Sequence, residues 1–102
     1  MNDTKPLSKK DIEARLKGLT RWKYAKNKIS RQFAFYDFKE ALAFVNKLGA
    51  FSEKIDHHPD IHIFYNKILF ELQRFDIGGK VTERDFTVAH EIERMYAIRR
   101  QK

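Results

Sequence analysis

Three of the chain's four histidines, His57, His58 and His62, fall within one run, EKIDHHPDIHIFY, from Glu53 to Tyr65, interleaved with Glu53, Asp56 and Asp60. Imidazole titrates nearest neutral pH of all ordinary side chains, so this run is where the chain can carry general acid–base chemistry. His57 and His58 are the candidate proton-handling pair, with Glu53 and Asp56 as the carboxylates that orient them. One well-placed histidine contributes about 10²–10⁴-fold to a proton-transfer step. Metal binding by His57 or His58 together with His62 and an aspartate is the lesser alternative, since the spacing matches no known ligand set. His90 stands apart and reads as solvent-facing.

Other chemistries find little support. The chain has no cysteine, which removes disulfides, thiolate nucleophiles and Cys-based zinc sites. No GxGxxG, P-loop or GxSxG pattern occurs, and the adjacent Gly78 and Gly79 are too little for a phosphate cradle. No apolar run approaches the ~20 residues that span a bilayer, and residues 1–11 lack the apolar core of a secretory signal. The expectation is a cytoplasmic protein. A chain of 102 residues with 42% hydrophobic content and nine Phe is sized for one folded domain.

Charge is unevenly placed. The net +7 resides in residues 1–50, and seven basic residues (Arg15, Lys17, Arg21, Lys23, Lys26, Lys28, Arg31) lie between Ala14 and Tyr36 with no acid among them. A solvated basic face is the favoured reading of this stripe; a track for nucleic-acid phosphates is the competing one.

The histidine run must be held by its neighbours. Pro59 fixes its own φ and pushes His58 out of helical geometry, so the run reads as a helix end, a stiff corner and then a strand. Upstream, Asp37 and Glu40 signal a helix start, and the spacing predicts a helix over 37–54. Phe38, Ala41, Leu42, Val45, Leu48 and Ile55 form its apolar stripe, with Phe44 and Phe51 widening it sideways. Such breadth predicts a subunit contact in addition to the sheet. Before it, Ser8 and Asp11 open a short helix over 9–19, and two runs around Trp22–Tyr24 and Ile29–Phe35 form a hairpin turning at Asn27. After the corner, Ile61, Ile63 and Tyr65 alternate along a strand, Asn66–Lys67 makes a two-residue loop, and Ile68, Phe70 and Leu72 line the return strand. Residues 76–80 form a loop. Thr82 and Asp85 then cap a final helix through Phe86, Ala89, Ile92, Met95 and Tyr96, ending near Arg99. The order is α-β-β-α-β-β-α, an α+β fold with a four-stranded antiparallel sheet packed on helices.

Glu53-x3-His57-His58-Pro59, followed by Tyr65, position 75 and Asp85, resembles the signature of the pterin-4a-carbinolamine dehydratases. The likeness extends to Trp22, Arg31-Gln32-Phe33, Phe35, Asp37-Phe38, Tyr65-Asn66-Lys67, Asp76, Gly78-Gly79 and Thr82-Glu83-Arg84-Asp85, spanning about residues 9–98. The resemblance implies a tetramer or dimer built through helices and sheet edges. It also implies dehydration of 4a-hydroxytetrahydropterin to quinonoid dihydropterin, in tetrahydrobiopterin recycling, with no metal or organic cofactor. On that likeness His57 and His58 are the acid–base pair, and Glu53, Asp56 and Asp85 orient and polarise. Pro59 shapes the pocket wall, and Arg74, Phe75, Asp76 and Ile77 line its other side. The chain departs from the pattern at three places. Lys80 lengthens the loop before Thr82, Ile61 replaces an aromatic, and Phe75 stands where the pattern has His or Trp. Phe75 has no ring N–H, so pterin binding is expected to persist better than turnover. The alternative is therefore a catalytically weakened member that acts as a binding partner of another protein, as some members do with a homeodomain transcription factor.

Overall fold

The computed structural model describes residues 5–73 and 80–99. Its elements are α1 (Lys9–Leu16), β1 (Lys23–Ala25), β2 (Lys28–Ala34), α2 (Phe38–Ile55), β3 (Asp60–Phe64), β4 (Lys67–Leu72) and α3 (Glu83–Ile98). The strands form one sheet in the order β1-β2-β4-β3, every neighbouring pair antiparallel. This is the α+β order expected from the periodicities.

Turn chemistry sets the registers. Lys26 and Asn27 both take positive φ, 54° and 63°, and close the first hairpin with Ala25 opposite Lys28. In the second hairpin Phe64 pairs with Lys67, so the loop is Tyr65–Asn66, one residue earlier than the sequence suggested. The cause is a tertiary tie: the Asn66 carbonyl accepts from the Phe35 N–H at 2.7 Å, and Asn66 Nδ2 donates to the Phe35 carbonyl at 3.0 Å. Tyr65 thus leaves the strand and takes φ 57° in the turn. Ile61 and Ile63 remain opposite Phe70 and Ile68, which keeps the apolar set on one face.

That face carries the core. Ile29, Phe33, Phe35, Ile68, Phe70 and Leu72 are buried against helices that bring Ala41, Phe44, Leu48, Phe86, Ala89 and Ile92. Arg31, which breaks the apolar alternation of β2, is accommodated by two contacts. Its guanidinium stacks 4.0 Å above the Phe33 ring, and its Nη1 donates to Glu93 on α3, whose Oε2 also accepts from Trp22 Nε1 at 2.8 Å. The basic stripe is in part knitted into the fold in the same way, with Glu83 pairing Arg15 and Glu71 pairing Lys28.

Two helices differ from expectation. From Lys17 onward the backbone N–H groups of α1's exit bond three residues back, Lys17 to Ala14, Gly18 to Arg15 and Leu19 to Leu16. The last turn therefore tightens, α1 stops at Leu16, and Leu19 drops into the core. On α2 the buried line is Ala41, Phe44, Leu48 and Ser52, whereas Phe38 and Leu42 are 46% and 41% exposed. Phe44 is core rather than a lateral extension, because α3 brings Tyr96 against its side and Phe35 and Phe70 meet it from the sheet. A stripe read from one helix cannot register a second covering element.

Candidate active site

The site begins where α2 ends. Asp56 takes the left-handed conformation (φ 53°, ψ 47°), and its N–H turns back on the Glu53 and Ser52 carbonyls. The His57 N–H bonds the Ser52 carbonyl at 3.1 Å, a helix stop of the kind usually given to glycine or asparagine. This reversal points His57 into the protein, where it is 7% exposed. Pro59 disfavours helical geometry at His58, and β3 starts at Asp60. Two adjacent histidines thereby acquire opposite environments.

The start of α3 supplies the partner. Asp85, wholly buried, stands three residues after the N-cap Thr82. Its Oδ2 accepts from the Thr82 N–H at 2.7 Å and lies 3.4 Å from the Thr82 hydroxyl. Its Oδ1 lies 2.6 Å from His57 Nε2. An ionised carboxylate can only accept, so a hydrogen bond between the two has Nε2 as its donor. His58 is half-exposed and its Nε2 pairs with Glu53 on the last turn of α2. Arg84 ties the two helix ends together, Nη1 donating to the Ile55 carbonyl at 3.0 Å.

The structure thus brings together His57 with Asp85 and His58 with Glu53. Asp56 contributes its backbone turn and is exposed, and Pro59 is half-buried at the corner. Arg74, Phe75, Asp76 and Ile77 lie outside the described residues. His62 is not part of the cluster. Strand alternation puts it on the sheet face away from the helices, where its Nε2 is 2.9 Å from Glu71. The Lys28 ammonium, followed by the His62 ring, holds the Glu71 carboxyl below its ordinary range despite partial burial. Among the described residues no group of three or more His, Asp or Glu side chains is arranged to hold a metal ion. His90 is exposed. A separate groove of about 500 Å³ lies between α2 and α3 near Lys47, Arg94 and Arg99, and none of the histidines or their carboxylate partners lines it. The sequence marks Thr82 as a helix cap and places Thr82 and Arg84 within the family likeness, with no role for either at the site; both acquire their place through α3 packing beside the end of α2.

A family model described as pterin 4 alpha carbinolamine dehydratase matches residues 5–95. The chain belongs to that family. A relative from Acidobacterium capsulatum, whose name places it among the pterin-4-alpha-carbinolamine dehydratases, is 47% identical over 87 residues, 85% of this chain and 94% of its own. A similarly named protein of Sulfolobus acidocaldarius is 37% identical over 89 residues, 87% of this chain and 97% of its own. The crystal structure of a transcriptional coactivator/pterin dehydratase from Brucella melitensis superposes with a TM-score of 0.83 at 28% identity, covering 89% of this chain and 98% of that one. Within the pterin carbinolamine dehydratase family, then, this chain carries its His-His-Pro corner as one buried and one exposed imidazole, each with its own carboxylate.

Proposed function

We propose that the protein dehydrates 4a-hydroxytetrahydropterins to quinonoid dihydropterins, with His57 and His58 handling the two protons. The C4a–O bond breaks as the N5 lone pair forms the C4a=N5 double bond; N5 gives up its proton and the departing hydroxide gains one to leave as water. His57 Nδ1 takes the N5 proton, and Asp85 opposite Nε2 compensates the imidazolium that forms. His58, beside Glu53, delivers the proton to the leaving oxygen. Asp56 and Pro59 frame the corner. Two proton carriers on one rigid corner compensate for Phe75, which has no transferable hydrogen. The observation that carries this reading is the buried 2.6 Å contact of His57 with Asp85, an arrangement suited to a base held in one tautomer.

The test is stopped-flow dehydration of a 4a-hydroxytetrahydropterin generated in situ. Wild-type protein accelerates the step over buffer, and His57→Ala loses about 10²–10⁴-fold while staying folded. Wild-type protein no faster than buffer ends the reading.

A second reading, association with another protein or with itself, is favoured by apolar surface that this chain leaves uncovered. Tyr36, Phe38, Leu42, Phe64 and Tyr65 are 80%, 46%, 41%, 56% and 69% exposed. The Asn66–Phe35 bonds bring the turn bearing Tyr65 beside the segment bearing Tyr36. The coactivator half of the Brucella relative's description is in keeping with such a surface. Both roles are compatible in one molecule, because Phe38 and Leu42 lie in the first two turns of α2 and the histidines beyond its end.

A further inference from the structure

Asp85 does two jobs with one carboxylate. In a capping box the acid at the third helical position reaches back to the N-cap N–H, and one oxygen is enough for that bond. Here the second oxygen is buried on the His57 ring, 28 residues away in sequence. The orientation of that ring therefore depends on how the Asp85 carboxylate is rotated, and the groups on Oδ2 set the rotation. These are the Thr82 N–H at 2.7 Å and the Thr82 hydroxyl at 3.4 Å, both from a residue with no exposure.

The segment around Thr82 is itself clamped from a third direction. The Leu7 N–H donates to the Val81 carbonyl at 2.9 Å, and Pro6 bridges Thr82 as an isolated antiparallel pair. One residue beyond, Glu83 receives a forked guanidinium from Arg15 of α1, with Nε at 2.7 and 2.9 Å and Nη2 at 2.6 Å. The approach to α3 is thus tied at the backbone of Val81 and Thr82, and its first residue at the Glu83 side chain. The adjustable parts that remain are the Asp85 carboxylate rotation and the imidazole facing it.

We propose that Thr82 is a positioning residue for the proton transfer: its hydroxyl, with its N–H, holds the Asp85 carboxylate so that His57 keeps its hydrogen on Nε2 and presents a bare Nδ1. This rests on the dehydratase reading for its consequence in turnover, while its effect on the imidazole is independent of that reading. A threonine serving only as a helix cap gives a different expectation. Its loss then lowers stability, as any N-cap loss does, and leaves the His57 tautomer alone. With the hydroxyl removed, Oδ2 keeps one donor, the carboxylate is freer to turn, and Nε2 loses its exclusive claim on the ring hydrogen.

The experiment compares wild type with Thr82→Val, Thr82→Ser and a control cap loss, Ser8→Ala. Ser8 caps α1 through its hydroxyl on the Asp11 N–H at 3.1 Å, away from the histidine. The readouts are the ring-nitrogen chemical shifts of His57 by ¹⁵N NMR and the pH profile of dehydration. Expected is an Nε2–H imidazole in wild type, a several-fold gain of the Nδ1–H form with a displaced pH profile and several-fold slower turnover in Thr82→Val, recovery in Thr82→Ser, and no change in Ser8→Ala. Wild-type ring shifts in Thr82→Val, or equal changes in Ser8→Ala, overturn the proposal. Should Thr82→Val fail to fold, Thr82→Ala takes its place beside Thr82→Ser, with the same outcomes. A wild type that shows no dehydration refutes the functional reading alone, since the NMR comparison still decides the role of Thr82.

Discussion

Replacing Phe44 and Phe38 separately by alanine tests which face of α2 is core. Phe44 is 5% exposed and its ring centroid lies 5.0 Å from Phe35, 6.0 Å from Phe70 and 6.4 Å from Tyr96. Truncating it removes a nearly complete phenyl burial and leaves a cavity walled by three other rings, at a cost of about 3–4 kcal/mol. Phe38 is 46% exposed, so about half of its transfer term is available, no cavity forms, and the cost is about 1 kcal/mol. Urea unfolding followed by far-UV circular dichroism measures both, and with a slope of about 1–1.5 kcal/mol per molar the midpoints differ by about 2 M. The deficit of Phe44→Ala stays constant over a hundredfold dilution, since its contacts are within one chain. If the exposed face of α2 self-associates, Phe38→Ala weakens association in sedimentation runs at the same concentrations, which is the test of the second functional reading. Equal losses for the two variants, or a Phe44→Ala loss below about 1 kcal/mol, refute the assignment of the α2 faces.

Two further outcomes follow from the ion pairs. Asp85→Asn keeps an acceptor for the Thr82 N–H but must donate to His57, which moves the ring hydrogen to Nδ1; turnover falls by about 10²–10⁴-fold with the fold retained, and an unchanged rate in stopped flow speaks against the proposed role of Asp85. Lys28→Met removes the largest cause holding the Glu71 carboxyl below its ordinary 4.5. A carboxyl lowered in the folded state stabilises above its unfolded value and loses that contribution as pH falls through the folded one. Wild type therefore exceeds Lys28→Met by roughly 1 kcal/mol at neutral pH for this partly exposed pair, and the gap narrows progressively below about pH 4.5. Urea melts at several pH values read it; a gap that widens on acidification contradicts the sign.

Much of this molecule is visible in local patterns. Capping signals at Ser8, Asp37 and Thr82 mark real helix starts, and the alternation of Ile61, Ile63, Ile68, Phe70 and Leu72 assigns the buried face of the second hairpin. Both signals act over a few residues, so no knowledge of distant contacts is needed. The misplaced features depend on such contacts. The Tyr65–Asn66 turn answers to Phe35, and the burial of Phe44 answers to Tyr96. Arg31 looks like an interruption until Glu93 and the Phe33 ring are beside it.

Residue identity and spacing alone determined that acid–base chemistry belongs to the His-His-Pro corner, because the proline constrains its neighbour and imidazole has few rivals near neutral pH. Tertiary structure alone decided that the two histidines differ. A left-handed Asp56 turns His57 under α3 onto a buried carboxylate and leaves His58 in solvent beside Glu53. No local rule can distinguish them: burial and partner come from a helix that begins 26 residues after His57 in the chain, and only packing brings its first turn to the end of α2.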